Sequence, residues 1–228
     1  MNILYSASPA MYEYVGASIR SLLEHNKPTK IYIFAQDDEM PFDIPCKHEV
    51  INVSNQTYFP ENSRNRSRQN WFTYMSMMRI TAPELLKANK VIYLDADTII
   101  CDSLKPLWDI DLTDKWLAWC PEVLGTYKPW GKQYYNGGVA VYNLQQMRKD
   151  NLTQLVVNKL NTQYYTYIEQ DVMNEMAVPD MCVDIPVRFN ECFCCGYTDD
   201  PAIVHYAGQG DLTNRGIFRW EYLGKYLG

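Results

Sequence analysis

At 228 residues the chain is long enough for one sizeable domain, and 47% hydrophobic against 21% charged side chains excludes intrinsic disorder. A net charge of −6 argues against a general nucleic-acid binder. No apolar run approaches the roughly 20 residues a membrane-spanning helix needs. The opening MNILYSASPAMYEY has no basic head followed by an apolar stretch, so no signal peptide is readable. Seven scattered cysteines, an odd number, fit reduced thiols in a cytoplasm.

In chain order, residues 2–7 (NILYSA) read as a short buried strand. Residues 11–25 follow as a helix, with Tyr14, Val15, Ile19, Leu22 and Leu23 at helical spacing, stopped by Pro28. Residues 30–35 (KIYIFA) and 48–53 supply two more strands, and this order suggests a parallel, right-handed α/β unit. Residues 54–70 form the one long polar segment, a length typical of lids. A helix is expected over 71–88, interrupted near Pro83, then an apolar strand over 90–94 (KVIYL). Later strands fall at 117–120, 138–142 and 202–206, with helices at 144–160 and 170–176. No repeat, low-complexity tract or Gly/Ser linker divides the chain, so one domain is expected.

The strongest local signal is VIYLDADT, residues 91–98. Residues two apart in a strand point to one side, so Asp95 and Asp97 present their carboxylates together where the strand ends. Such a pair repels itself unless a cation lies between, and a hard divalent ion carrying phosphate oxygens would resolve the conflict. The plain alternative is that Asp97 or Asp102 caps the next helix. His205 ends another apolar strand, followed by Gly208 and Gly210; it is either a structural histidine or a ligand. Asn136-Gly137-Gly138 reads as a turn, or as a polar floor whose amide meets a hydroxyl. Glu169-Gln170-Asp171 suits a helix N-terminus. Arg79, in the apolar run YMSMMRI, needs an anion or carboxylate if buried. Arg64, Arg66 and Arg68 lie in the polar segment as a solvated loop or a contact for an anionic substrate. Cys192, Cys194 and Cys195 lack zinc-knuckle spacing and read as thiols in a packed segment.

Taken together, ILYSAS, SLLEHN, YMSMMRI, IYLDADTII, YYNGGVAVYNL, EQDVMN and IVHYAG resemble, in order, the motifs of the retaining glycosyltransferases of family 8. That family includes glycogenin and the bacterial lipopolysaccharide galactosyl- and glucosyltransferases. The resemblance implies a GT-A fold: a single α/β domain with a Rossmann-like, mixed but mostly parallel sheet flanked by helices. The nucleotide-sugar part would span about 1–120 and the acceptor side about 121–228. It implies a nucleotide-sugar donor, most often a UDP-sugar such as UDP-glucose or UDP-galactose, and Mn²⁺, with Mg²⁺ as the other candidate. By the family pattern Asp95, Asp97 and His205 hold the metal, Arg79 faces the donor, and Ala7 and Ser8 line the base pocket. Ala96 lies near the ribose, Asn136, Gly138 and Gly208 border the donor, and Glu122 contacts the sugar. Glu169 and Gln170 stand beside the anomeric carbon as the catalytic pair.

Three departures from that pattern stand out. Ser8 replaces an acidic residue at the base pocket, and Glu122 and Glu169 stand where aspartate is usual. The family lysine after the last histidine is missing, leaving Arg215 or Arg219 to meet the diphosphate. The acceptor, a glycan or glycolipid, would be met by the 54–70 segment and the C-terminal residues Trp220, Tyr222 and Tyr226, unless these merely pack as an amphipathic helix. A cytoplasmic location with at most peripheral membrane contact follows, and a homo-oligomer stays open. Two rival readings use the same residues. One is a haloacid-dehalogenase-type phosphatase with Asp95 as nucleophile, since LDADT fits its motif locally. The other is a nucleotide-sugar binder without turnover.

Overall fold

The computed structural model describes residues 1–65, 74–124, 131–209, 212 and 218–227. Strand β1 (Asn2–Ser6) leads through a 3₁₀ turn into helix α1 (Tyr12–His25), whose Val15, Ile19 and Leu22 are buried. Strands β2 (Lys30–Ala35) and β3 (His48–Asn52) follow, both parallel to their neighbours. The expected 71–88 helix is instead α2 (Tyr74–Met78), a 3₁₀ turn at Arg79–Thr81 and α3 (Ala82–Leu85). Its break thus precedes Pro83, which sits in the first turn of α3, where a missing N–H costs nothing.

Strand β4 (Lys90–Leu94) pairs parallel to β1, and a tight turn at Asp95–Asp97 leads into β5 (Thr98–Ile100). Helix α4 (Lys105–Trp108) has Leu104 at its N-cap, so neither Asp97 nor Asp102 caps it. Strands β6 (Leu117–Pro121) and β7 (Tyr135–Asn143) are antiparallel to each other, and β7 also runs antiparallel to β4. Asn136-Gly137-Gly138 therefore lies inside β7, and the turn alternative fails. The single helix expected at 144–160 is two, α5 (Leu144–Lys149) and α6 (Leu152–Thr162), separated by Asn151 at φ +54°, which asparagine tolerates better than most residues.

Helix α7 (Ile168–Ala177) precedes β8 (Cys182–Asp184), a short strand without a sequence signal, and β9 (Ile203–His205) pairs antiparallel to β5. The main sheet has seven strands in the order β3-β2-β1-β4-β7-β6-β8, with parallel pairs in the majority. Strand alternation splits the core between its faces. Leu4, Phe34, Tyr93 and Trp119 point to one cluster; Ile3, Tyr5, Ile33 and Val141 point to the other. Helix α8 (Trp220–Gly224) packs Trp220 and Tyr222, and the turn after it Tyr226, against a third cluster with Ala17, Ile99 and Val204. All three pack against this cluster, as the amphipathic-helix alternative expects, and stay half-buried. Among the described residues no helix is long and apolar enough to cross a membrane.

Candidate active site

A cavity of about 350 Å³ opens at the end of the sheet where β4 finishes. Its wall includes Arg79, Asp95, Asp97, Glu122, Asn136, Glu169, Gln170, His205 and Gly208, nine of the residues singled out from sequence. Ser76, Tyr167, Phe193, Cys194 and Ala207 complete it. Ala7, Ser8 and Ala96 do not reach the wall. Ala7 and Ala96 are buried in the core cluster behind it, and Ser8 starts the 3₁₀ turn after β1.

Asp95 and Asp97 lie beyond the strand, so strand alternation is not what aligns them; the turn between β4 and β5 does. Pairing of β5 with β9 sets Thr98 opposite His205 and brings the imidazole to the turn. His205 Nε2 stands 3.7 Å from Asp95 Oδ2 and 3.5 Å from Asp97 Oδ1. Its Nδ1 is 2.8 Å from the Asn190 side-chain oxygen. An oxygen accepts only, so Nδ1 carries a proton and Nε2 is the nitrogen turned to the carboxylates. Burial works against a charged ring, but Asp97 and Cys192 beside it hold the pKa well above the ordinary histidine value. Two carboxylate oxygens and one imidazole nitrogen, all within 4.8 Å of one another, suit a hard divalent ion.

Asn190 carried no signal in the sequence, since only the fold brings it under His205. It also donates to Asn136 Oδ1 at 3.0 Å, and Asn136 Oδ1 accepts from the Gly138 amide at 3.0 Å. Asn136 Nδ2 reaches Glu122 Oε1 at 3.4 Å. The Asn136 amide is thus engaged by protein on both ends while it lines the cavity, and it positions Glu122 and Asn190. Asn190→Leu, which removes the acceptor at Nδ1, is expected to weaken metal binding about 10–100-fold. Titration of Mn²⁺ followed by its electron paramagnetic resonance signal measures this, and an unchanged affinity would show that Nδ1 needs no partner.

Gly138, expected to border the sugar, lies under His205: a Cβ there would stand 2.0 Å from His205 Cε1. Its carbonyl also accepts the Asp95 amide at 2.8 Å. One glycine therefore seats two of the three candidate ligands.

Across the cavity, Arg79 and Glu169 form a buried ion pair, and Arg79 Nη1 also donates to the Gly137 carbonyl at 2.8 Å and to Asp95 Oδ1 at 3.3 Å. Burial opposes the guanidinium charge, yet Glu169, Tyr93 and Asp95 together keep its pKa well above the ordinary value. Burial also raises the Glu169 carboxyl, against the pull of Arg79. Glu169 Oε2 is buried with no hydrogen-bond partner among the described residues. Gln170 is fixed at both ends, its Oε1 accepting from the Gly137 amide at 2.8 Å and its Nε2 donating to the Tyr134 hydroxyl at 3.1 Å. Ile168, just before this pair, is buried at φ +47°, a conformation that costs a β-branched residue about 1–3 kcal/mol.

Arg219 does not reach the cavity. It is tied to the fully buried Glu191, with Nη2 2.9 Å from Oε1, and to the Thr198 carbonyl. Neither partner leaves it turned toward the described cavity wall. Arg215, Arg66, Arg68 and Gly210 lie outside the described residues.

The profile of a protein family described as "Glycosyl transferase family 8" matches residues 2–210. Lipopolysaccharide glucosyltransferase WaaO of Escherichia coli is 24% identical over 243 residues, covering 91% of this chain and 71% of its own. A Haemophilus influenzae relative is 26% identical over 199 residues, and the match spans 58% of its length. Among solved structures, a galactosyltransferase, LgtC, in complex with donor and acceptor sugar analogs superposes with a TM-score of 0.72 at 19% identity. That likeness covers 100% of this chain and 95% of the other, and it bears out the expected GT-A-type fold.

Proposed function

Because the chain belongs to glycosyl transferase family 8, we propose that it is a metal-dependent, retaining hexosyltransferase. It moves a hexose from a nucleotide-sugar, UDP-glucose or UDP-galactose, to a hydroxyl of a glycan or glycolipid. The observation that carries this reading is the meeting of Asp95, Asp97 and His205 Nε2 at one side of a cavity walled by Glu122, Asn136, Glu169 and Gln170.

Asp95, Asp97 and His205 would hold Mn²⁺, or Mg²⁺, and the ion would offset the charge that builds on a leaving diphosphate. The chain's own residues do the rest. Arg79 keeps a positive charge inside the cavity wall, where low dielectric strengthens it. Gln170 cannot abstract a proton, since an amide is no base, and its two fixed hydrogen bonds suit a positioning role beside the sugar. A sugar hydroxyl would satisfy the orphaned Glu169 Oε2. Tyr167 and Phe193, 39% and 51% exposed at the cavity wall, offer rings for an acceptor sugar. The donor would be held by residues up to about 120 and the acceptor by those after.

Use of Asp95 as a phosphatase nucleophile is disfavoured by the family match over residues 2–210. Its Oδ1 accepts from the Tyr93 hydroxyl and from Arg79, and its Oδ2 faces His205. Oδ2, 3.7 Å from Nε2, makes no hydrogen bond, so the carboxylate's geometry suits a metal ligand and does not by itself separate the two readings.

Calorimetric titration of UDP, with and without Mn²⁺, tests the proposal. Binding is expected to require both the metal and Asp97, and to fail in Asp97→Ala. Hydrolysis of the UDP-sugar in the presence of Mn²⁺ then separates a transferase from a silent binder. The ion must displace the proton that Asp97 and Cys192 hold on His205, so Mn²⁺ affinity is expected to rise with pH until the raised His205 pKa is passed. Stability without metal runs the other way. The raised His205 pKa stabilises the fold fully below about 6.5, and that contribution is lost as pH climbs through the folded value. Affinity that does not change between pH 6 and 8 would remove His205 from the ligand set. No nucleotide binding at all would overturn the transferase reading.

A further inference from the structure

Behind the Glu122–Asn136 wall, residues 192–196 fold back on themselves. The Gly196 amide donates to the Cys192 carbonyl at 2.9 Å, and Gly196 takes φ +112°. This turn gathers the sulfurs of Cys192, Cys194 and Cys195 within 4.8 Å of one another, with Cys192 and Cys194 at 3.3 Å. A fourth thiol, Cys120 of β6, meets Cys195. All four are buried, as the packed-thiol expectation holds. Burial alone does not explain their grouping, because apolar packing does not require one thiol to touch three others.

Two further features point to a ligand. Asn136 and Asn190 aim side-chain N–H groups at sulfur, Asn136 Nδ2 at Cys194 (3.5 Å) and Asn190 Nδ2 at Cys195 (3.7 Å). Donors facing sulfur stabilise a thiolate, as the outer shell of a metal site does. The cluster is also reachable from two sides. Cys194 lines the active-site cavity, whereas Cys120 and Cys195 line a separate apolar groove beside Val123 and Leu124.

We propose that Cys192, Cys194 and Cys195 form a binding site for a thiophilic d¹⁰ cation, with Zn²⁺ the simplest occupant, separate from the oxygen-rich site at Asp95 and Asp97. A Zn–S bond of about 2.3 Å places three sulfurs around one ion roughly 3.8–4 Å apart, so the observed grouping needs only small adjustment. Binding releases the thiol protons to solvent, and the three sulfurs leave a fourth coordination position for water. The softness of sulfur sorts the two sites: thiolates take zinc, and the carboxylates take manganese or magnesium.

The test uses the full chain, reduced and freed of metal, titrated with Co²⁺. Cobalt thiolates give a sulfur-to-metal charge-transfer band in the near ultraviolet; a carboxylate–imidazole site does not. We expect the band to saturate near one equivalent, to persist in Asp97→Ala, to collapse in Cys194→Ser, and to be reversed by Zn²⁺. Thiol alkylation read by mass spectrometry gives a second measure without mutation, with Zn²⁺ shielding Cys192, Cys194 and Cys195. No band from a protein whose thiols are shown to be reduced, or equal alkylation with and without Zn²⁺, overturns the proposal. Neither readout involves a nucleotide, so this site stands or falls apart from the transferase reading.

Discussion

Gly138→Ala is expected to leave a folded protein whose Mn²⁺-dependent UDP binding is weakened by ~100-fold or more. The added methyl would lie 2.0 Å from His205 Cε1 and 2.7 Å from both ring nitrogens. The ring has nowhere to retreat: it is 4% exposed and tied to Asn190. If β7 moves instead, the Gly138 carbonyl pulls on the Asp95 amide, so either response spoils the ligand set. Overpacking of this kind costs about 1–3 kcal/mol, less than the stability of an ordinary domain, so binding suffers before folding does. Gly137→Ala is the control. Its Cβ would meet only side-chain tips, Arg79 Nη2 at 3.0 Å and Gln170 Oε1 at 3.3 Å, and metal binding should change much less. Calorimetry and far-ultraviolet circular dichroism on both variants decide the matter. Equal Mn²⁺ affinity in Gly138→Ala and the parent protein would mean that His205 is no ligand.

The central strands were legible because burial on both faces writes them as unbroken apolar runs, as in KIYIFA and KVIYL. Strand β8 was not, because three residues with mixed exposure have no period to detect. The division of α5 from α6 rests on a single left-handed residue, Asn151, which helical periodicity does not register. At the site, Asp95, Asp97 and His205 announce themselves as polar residues ending apolar strands. Their alignment depends on the β5–β9 pairing, which is tertiary and invisible in spacing. Asn190 and the Cys120 thiol are hidden for the same reason, each being brought in from a distant stretch of chain. Arg79 shows the intermediate case: a charge in an apolar run predicts a partner, while only the fold says that the partner is Glu169, 90 residues away.

That buried pair carries the second large effect. Arg79→Met leaves Glu169, 3% exposed, without its cation, and should destabilise the protein by about 3–5 kcal/mol, whether the carboxyl stays charged or takes a proton. Urea unfolding at neutral pH reads this as a shift in midpoint at constant slope. Glu169→Gln, which keeps the shape and removes the uncompensated charge, should cost less in the double variant than Arg79→Met costs alone. The two changes are therefore expected to be non-additive, with the double variant recovering part of the lost stability. Activity should not recover with it. Arg79 also donates to Asp95 and to the Gly137 carbonyl, whose own amide holds Gln170, so its loss loosens the metal side and the sugar side of the cavity together. A double variant that regained both stability and transfer would show that the pair only fills space. One that regains stability alone separates its two tasks: the charge pair ties α7 to the 3₁₀ turn after α2, and the guanidinium's remaining hydrogen bonds set the distance between the metal ligands and Gln170.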